Sequence, residues 1–190
     1  MCLIVKKAAI AKEPVKCYKV MVEAFDIDSG EYVMTVTPFR HTRIDKDVLK
    51  GDGVFKAEDS DNARKWNCKD GQLVSEYGLV SDYGNSREPE RHNTLYVKEG
   101  FVHLYLSESA LLNEKYFYKR YENTVQFIDD EKGRCGCYKV KFTAYLCEIP
   151  ENTLYCEGEN LGMAEAGCAR EIRFLKRLNA DWTDWTEITE

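Results

Sequence analysis

The chain has 190 residues and a formal net charge of −6, with 44% hydrophobic, 12% aromatic and 32% charged residues. That length suits one domain with its own hydrophobic core, and that composition excludes wholesale disorder. No long apolar run occurs, so we expect neither a membrane-spanning helix nor a membrane partner. The acidic balance argues against nucleic acid as the main partner.

The first half of the chain has the pattern of a β-hairpin followed by a loop-rich segment. Residues 15–22 have the β-branched and aromatic content of a strand, which we predict to be the first in the chain. Asp28-Ser29-Gly30 predicts a turn, and residues 31–37 alternate as the hairpin partner. Residues 40–92 are polar and rich in glycine, which predicts a loop-rich insertion with short strands at 53–57 and 73–80.

The second half predicts strands around one main helix. Ser107 is a candidate N-cap for a helix over 108–121, and the Gly- and Ala-rich residues 158–168 predict a loop or a short helix. The predicted strands cover 95–97, 100–106, 124–128, 138–149 and 169–178. In the strand at 138–149, one face is predicted to carry Tyr138, Val140, Phe142, Ala144 and Leu146.

These elements predict a single α+β domain over residues 1–178, built on twisted, mostly antiparallel sheet with one main helix. Residues 179–190 would follow as an acidic tail, with four carboxylates and no base. We expect Trp182 and Trp185 in this tail to pack on the body of the domain or on a partner.

Eight cysteines raise the question of compartment and metal binding. The start Met-Cys-Leu-Ile-Val-Lys-Lys lacks the charge order of a secretory signal, so we expect a cytoplasmic protein with reduced thiols. Most cysteines would then be small buried apolar residues. The alternative is a zinc site made by Cys135 and Cys137 with Cys147 and Cys156. Because only one close pair exists where structural zinc sites use two, we predict no metal.

Several stretches of the chain together indicate a family. The chain begins Met-Cys-Leu and carries Glu-Gly-Glu-Asn at 157–160 ahead of the strand at 169–175. Between them lie Cys-Tyr-Lys-Val at 17–20 and Gly-Phe-Val-His-Leu-Tyr-Leu-Ser at 100–107. This combination resembles a family of small uncharacterised proteins from gut bacteria and their phages. The resemblance implies no activity. With twelve tyrosines and the tail tryptophans as interface anchors, we expect a binding or interaction protein whose partner is a protein or a nucleotide-like small molecule.

A second, fainter resemblance implies chemistry. Tyr18-Lys19 lies on the predicted first strand, Ser107-Glu108-Ser109 opens the helix, and Ile149-Pro150 precedes Glu171. Their order is similar to that in ADP-ribosyltransferases, which split NAD at the nicotinamide–ribose bond. In that family a cation on the first strand holds the dinucleotide, and a late glutamate stabilises the oxocarbenium-like transition state.

This resemblance implies an NAD-using enzyme and a set of site residues. The catalytic residues would be Glu171, Ser107 and Ser109, and the cofactor-binding residues Lys19 and Tyr105, joined by Arg40 from the polar 40–92 segment. Two positions depart from the family pattern. Lys19 stands where Arg or His is usual and lacks their planar geometry, and Ala169 stands where many members carry the first Glu of a Glu-x-Glu pair.

Two further chemistries remain open, and the sequence does not decide whether the chain is an enzyme. If Met1 were removed, the amine of Cys2 would act as the base for its own thiol, as in N-terminal-nucleophile hydrolases. The arginines of the 40–92 segment, with nearby tyrosines, would form an anion or nucleotide pocket if that segment folded over the sheet. No P-loop, Rossmann, zincin or α/β-hydrolase motif occurs.

Overall fold

A computed structural model of the chain describes residues 3–38, 41–57, 66–75, 95–97, 100–129, 135–160 and 165–188. Two helices lie in these ranges, α1 (Lys46–Leu49) and α2 (Glu108–Arg120). The strands are β1 (Leu3–Ile10), β2 (Val15–Phe25), β3 (Tyr32–Val36), β4 (Arg43–Ile44), β5 (Phe55–Lys56), β6 (Trp66–Lys69), β7 (Gln72–Ser75), β8 (Leu95–Val97), β9 (Val102–Tyr105), β10 (Val125–Asp129), β11 (Cys135–Ile149), β12 (Leu154–Asn160), β13 (Glu165–Ala169), β14 (Glu171–Leu178) and β15 (Trp185–Thr186).

Thirteen of the described strands pair into one sheet, and β6 and β7 form a separate hairpin. The main path runs β15-β14-β11-β2-β9-β13-β12-β1-β8, with β10 beside β11, β3 beside β2, β4 beside β3, and β5 beside β14. The pairings between described strands are antiparallel. The prediction of a mostly antiparallel α+β fold with one main helix is therefore confirmed.

The sheet closes on itself through one long bent strand. Only Arg170 separates β13 from β14, yet β13 pairs with β9 whereas β14 pairs with β11. Since β11 pairs along the whole of β2, and Tyr18 of β2 lies opposite Tyr105 of β9, the circuit is complete. We call this circuit of β14, β11, β2, β9 and β13 the ring.

Each strand of the ring has an inner and an outer face, because successive side chains of a strand point to opposite sides. On β2, Cys17 and Met21 join the inner apolar cluster together with Phe174 of β14. Val20 and Val22 join an outer cluster that includes Leu111 of α2. A third apolar cluster lies among the outer strands and includes Leu3, Phe101, Leu154, Cys156 and Cys168.

Helix α2 covers the outer face of the ring. Ser107 is its N-cap as predicted, and the Ser107 hydroxyl accepts a hydrogen bond from the amide of Ala110 at 3.2 Å. Ala110, Leu111 and Tyr118 are its buried residues, so one side of the helix packs on the sheet. Neither α1 nor α2, the helices of the described ranges, has the length and apolar character that a membrane crossing requires.

The C-terminal tryptophans lie against the body of the domain. Trp182 is buried near the edge of β11, where its indole nitrogen donates to the carbonyl oxygen of Phe142 at 3.3 Å. The Trp185 indole donates to Glu108 at 2.8 Å, and its ring packs 5.6 Å from that of Tyr18. These contacts attach residues 182–185 to both the sheet and α2.

Two sequence predictions about the fold are wrong. The strand at residue 15 is not the first, because β1 precedes it. Residues 158–160 and 165–168, expected in a loop or short helix, belong to the antiparallel pair β12 and β13. The small residues serve close strand packing there: a Cβ on Gly167 would lie 2.8 Å from the carbonyl oxygen of Cys156. Gly167 allows the two strands to pack closely, and it does not mark the loop that the sequence pattern predicts.

Candidate functional site

An open cleft of about 660 Å³ lies between α1 and the sheet, beyond the packed interior of the ring. Its lining comes from four strands, α1 and the C-terminal segment, so it is assembled from distant parts of the sequence. The lining residues are Glu23, Phe25, Tyr32, Thr35, Lys46, Leu49, Lys50, Glu122, Lys141, Phe142, Thr143, Tyr145, Arg177, Leu178, Asn179, Ala180 and Ile188.

The floor of the cleft is polar although its side chains are buried. Five polar or charged side chains are buried among the described residues, and Glu23, Thr35 and Thr143 of this group line the cleft. Glu23 lies between Thr35 and Lys141 in the register of β3, β2 and β11. Because burying polar groups costs free energy unless they find partners, their concentration at one opening indicates a binding surface.

An ion pair organises this floor. Nη2 of Arg177 contacts both carboxylate oxygens of Glu23, at 2.7 and 2.9 Å. The Glu23 side chain is 9% exposed, whereas 43% of the Arg177 side chain is open to the cleft and solvent. A guanidinium group has five N–H donors and this ion pair uses two of them, so the other N–H groups of Arg177 can bind an anionic ligand.

Tyr145 stands beside this pair as a neutral donor. Burial raises the pKa of the Tyr145 hydroxyl, the carboxylate of Glu23 raises it further, and Arg177 opposes the rise. The hydroxyl therefore stays protonated at neutral pH and offers a hydrogen bond to a ligand rather than a negative charge.

The wall of the cleft combines ammonium groups with aromatic rings. Nζ of Lys46 lies 5.0 Å from the ring centroid of Tyr32, and Nζ of Lys141 lies 4.9 Å from that of Phe25. The two rings are 6.1 Å apart and nearly perpendicular. The Tyr32 hydroxyl is held 3.0 Å from the hydroxyl of Thr35. Cation–π contacts of this kind place the lysines over the rings while leaving their charge available.

The charge balance of the lining is positive. Four cations and two carboxylates line the cleft, and both carboxylates are engaged, Glu23 by Arg177 and Glu122 by Lys119 at 2.9 Å. Within the described part of the chain, neither Lys46 nor Lys141 forms an ion pair with a carboxylate. The arrangement suits an anionic group held by the lysines and Arg177, next to a flat ring on the aromatic wall.

The predicted cofactor-binding residues lie elsewhere. Lys19 is inside the ring and 7% exposed, and its ammonium donates to the carbonyl oxygen of His103 at 2.7 Å. Tyr105 is buried on the outer face, with its hydroxyl 3.0 Å from that of Tyr118. Arg40 lies outside the described residues. Neither Lys19 nor Tyr105 lines the cleft.

Of the predicted catalytic residues, the two serines lie together and the glutamate lies apart. The Ser107 hydroxyl is 3.1 Å from that of Ser109 and donates to Glu165 at 3.0 Å. Glu171 instead accepts from the hydroxyl of Thr153 at 3.4 Å and pairs with Lys56 at 3.1 Å. These contacts do not join Lys19, the serines and Glu171, and the catalytic roles remain predictions from resemblance alone.

The cysteines of the alternative zinc site occupy different environments. Cys135 and Cys137 are exposed on the first part of β11, whereas Cys147 and Cys156 are fully buried on different strands. In the ranges that the structure covers, no group of three or more His, Cys, Asp or Glu side chains is placed to hold a metal ion. Cys2, the candidate N-terminal nucleophile, lies outside the described residues.

The cleft residues were not predicted from the sequence. On β2 and β11 the cleft residues alternate with apolar neighbours, so the polar side of each strand predicts a surface that faces solvent. The one signal was the placement of Glu23 and Lys141 among β-branched and aromatic residues on long strands. Without the strand register, that signal does not show that the two strands face the same opening.

Comparison of the chain with protein-family models, with curated proteins and with solved structures gave no match. The interpretation of the cleft therefore depends on its own geometry and charge.

Proposed function

We propose that the protein is a binding protein that holds an anionic small molecule bearing a flat ring in the cleft. The observation that carries this proposal is the combination of a buried polar floor with Lys46 and Lys141, neither of which forms an ion pair with a carboxylate of the described residues. A surface that served only stability would place apolar side chains on the floor, where this cleft has Glu23, Thr35 and Thr143.

The ligand would be recognised in two parts. Lys46, Lys141 and Arg177 would bind its anionic group, because ammonium and guanidinium groups are the usual partners of phosphate and carboxylate. Tyr32 and Phe25 would contact its ring, and Tyr145 would donate a hydrogen bond from the floor. A nucleotide-like molecule has both parts, and the cavity volume lies within the range of small-molecule sites.

Thermal unfolding in the presence of defined anions tests the proposal. The probes are inorganic phosphate, AMP, ADP, GMP and NAD, each titrated into the purified full chain. We expect at least one nucleotide to raise Tm in proportion to the logarithm of its concentration above Kd, by about 5–10 °C at a hundred times its Kd, and to exceed phosphate alone. Including NAD, with product analysis, tests the transferase hypothesis in the same series.

Charge-reversal and control variants locate the binding. Lys46→Glu together with Lys141→Glu should abolish the shift, since both ammonium groups are exposed at the cleft and their loss should not prevent folding. Lys12→Glu together with Lys69→Glu is the matched control, because both are exposed lysines that do not line the cleft. The absence of a concentration-dependent rise in Tm with every nucleotide, or an equal rise in the double variant, would refute the proposed function.

A further inference from the structure

The four fully buried cysteines of the described residues form two pairs. Cys17 lies directly opposite Cys147 in the register of β2 and β11, inside the ring. Cys156 lies directly opposite Cys168 in the register of β12 and β13, in the cluster of the outer strands. All four have no exposed surface and carry free thiols.

This register places each pair within reach of a disulfide bond. Residues directly opposite on antiparallel strands have Cα atoms about 4.5–5.5 Å apart, and disulfides span Cα separations of about 4.4–6.8 Å. Neither pair therefore needs the backbone to move far. Isolated buried cysteines, packed only as small apolar residues, would not need to lie opposite one another on both pairs of strands.

A cation accompanies each pair. The ammonium of Lys19 lies close enough to Cys147 to favour its thiolate, and the guanidinium of Arg170 acts in the same way on Cys168. Burial is the largest influence on the pKa of Cys147 and of Cys168 and raises both values, and the partner thiol in each pair raises them further. Cys147 and Cys168 are thus held in the protonated thiol form, with a neighbouring positive charge to stabilise a thiolate when one forms.

We propose that each pair is a site of oxidation by a small peroxide, which converts it into a cross-strand disulfide. Hydrogen peroxide suits buried thiols because it is close to water in size and can enter during local opening of the sheet. One thiolate attacks a peroxide oxygen, so that the O–O bond breaks and hydroxide leaves, becoming water with the thiol proton. The partner thiol then attacks the sulfenic sulfur, the S–S bond forms, and the S–O bond breaks to release a second water.

The first disulfide would join strands that are distant in sequence, and the second would join strands at the periphery of the sheet. The Cys17–Cys147 bond would fix the two longest paired strands of the ring to each other, and the Cys156–Cys168 bond would fix the outer hairpin. The device is independent of the proposed ligand, since none of the four cysteines lines the cleft.

The test uses the folded full chain carrying Cys135→Ser and Cys137→Ser, which removes the two thiols that are exposed in the described ranges and would cross-link molecules. After treatment with hydrogen peroxide the protein is denatured, free thiols are alkylated, and peptides are mapped by mass spectrometry. We expect peptides joined through Cys17–Cys147 and Cys156–Cys168, with a mass loss of about 2 Da per bond, reversed by dithiothreitol. The oxidised protein should have a Tm higher by about 5–10 °C.

Single replacements separate the pairs. Cys17→Ala should abolish the first cross-link and leave the second intact, and Cys156→Ala should do the reverse, so that failure of one variant to fold leaves the other informative. Recovery of all four thiols in alkylated form after peroxide treatment would overturn the proposal, as would disulfides between members of different pairs.

Discussion

Lys19 provides the sharpest test of the interior of the ring. Its ammonium is buried and donates to the carbonyl oxygen of His103 at 2.7 Å. Burial lowers its pKa from 10.5 to about 8, and the neighbouring thiols of Cys147 and Cys17 limit that decrease. The folded chain therefore binds this proton more weakly than the unfolded chain does.

The sign of the pH dependence follows from proton linkage. Between pH 8 and 10.5 the unfolded chain holds more of this proton than the folded chain, so the free energy of unfolding should rise with pH in that window. This decrease in pKa corresponds to roughly 3 kcal/mol in all, of which about 2 kcal/mol should appear between pH 7 and pH 9.5. Well below pH 8 the Lys19 ammonium is charged in both the folded and the unfolded chain, so its burial destabilises the fold by the full amount.

The assay compares the native chain with Lys19→Met by urea unfolding at several pH values. The tyrosines and cysteines titrate in both proteins, so the difference between the two free energies of unfolding isolates Lys19. That difference should shift in favour of the native chain by about 2 kcal/mol from pH 7 to pH 9.5. Lys12→Met is the control, because Lys12 is exposed and its replacement removes an ammonium group that folding leaves in water. A flat difference for Lys19→Met would refute the argument.

Two further predictions concern packing and hydrogen bonding. Gly167→Ala should lower the free energy of unfolding by about 1–3 kcal/mol, because the new Cβ would meet the backbone of Cys156. Gly136→Ala should lower it less, because the new Cβ would meet only the ring of Tyr138, which can move. Equal effects of the two replacements in urea unfolding would contradict this prediction. Tyr105→Phe should cost about 1–2 kcal/mol by leaving the Tyr118 hydroxyl without its partner, and adding Tyr118→Phe should recover part of that loss. A double-mutant cycle checks the second prediction, and strictly additive losses would contradict it.

Much of the fold followed from local patterns in the sequence. Ser107 predicted the start of α2 because a hydroxyl before an apolar run can cap the first amides, and the Ser107 hydroxyl does so. The face predicted for 138–149 is the outer face of β11, with Val140, Phe142 and Ala144 in the core beside α2. The alternation of side chains along a strand is a local property, so it can be predicted without knowing the partner strand.

The ring and the cleft depend on long-range pairing and were not predictable in the same way. The bend at Arg170 divides a continuous strand between two partners, and no local pattern at residues 165–178 indicates where the partner changes. Glu23 and Thr35 belong to neighbouring strands, but Arg177 reaches Glu23 from 154 residues away. A site made by such pairings is visible in a sequence only once its register is known.

One face of β2 joins the two proposals of binding and oxidation. Successive inward side chains on this strand are Cys17, Lys19, Met21, Glu23 and Phe25, which run from the sealed interior to the open cleft. A polar residue within such a run would face solvent in a flat sheet. Because the ring closes, the same alternation instead places a lysine beside a thiol pair at one end and a carboxylate beside an arginine at the other. Closure of the sheet, rather than any short motif, is therefore what turns ordinary strand residues into chemically distinct sites.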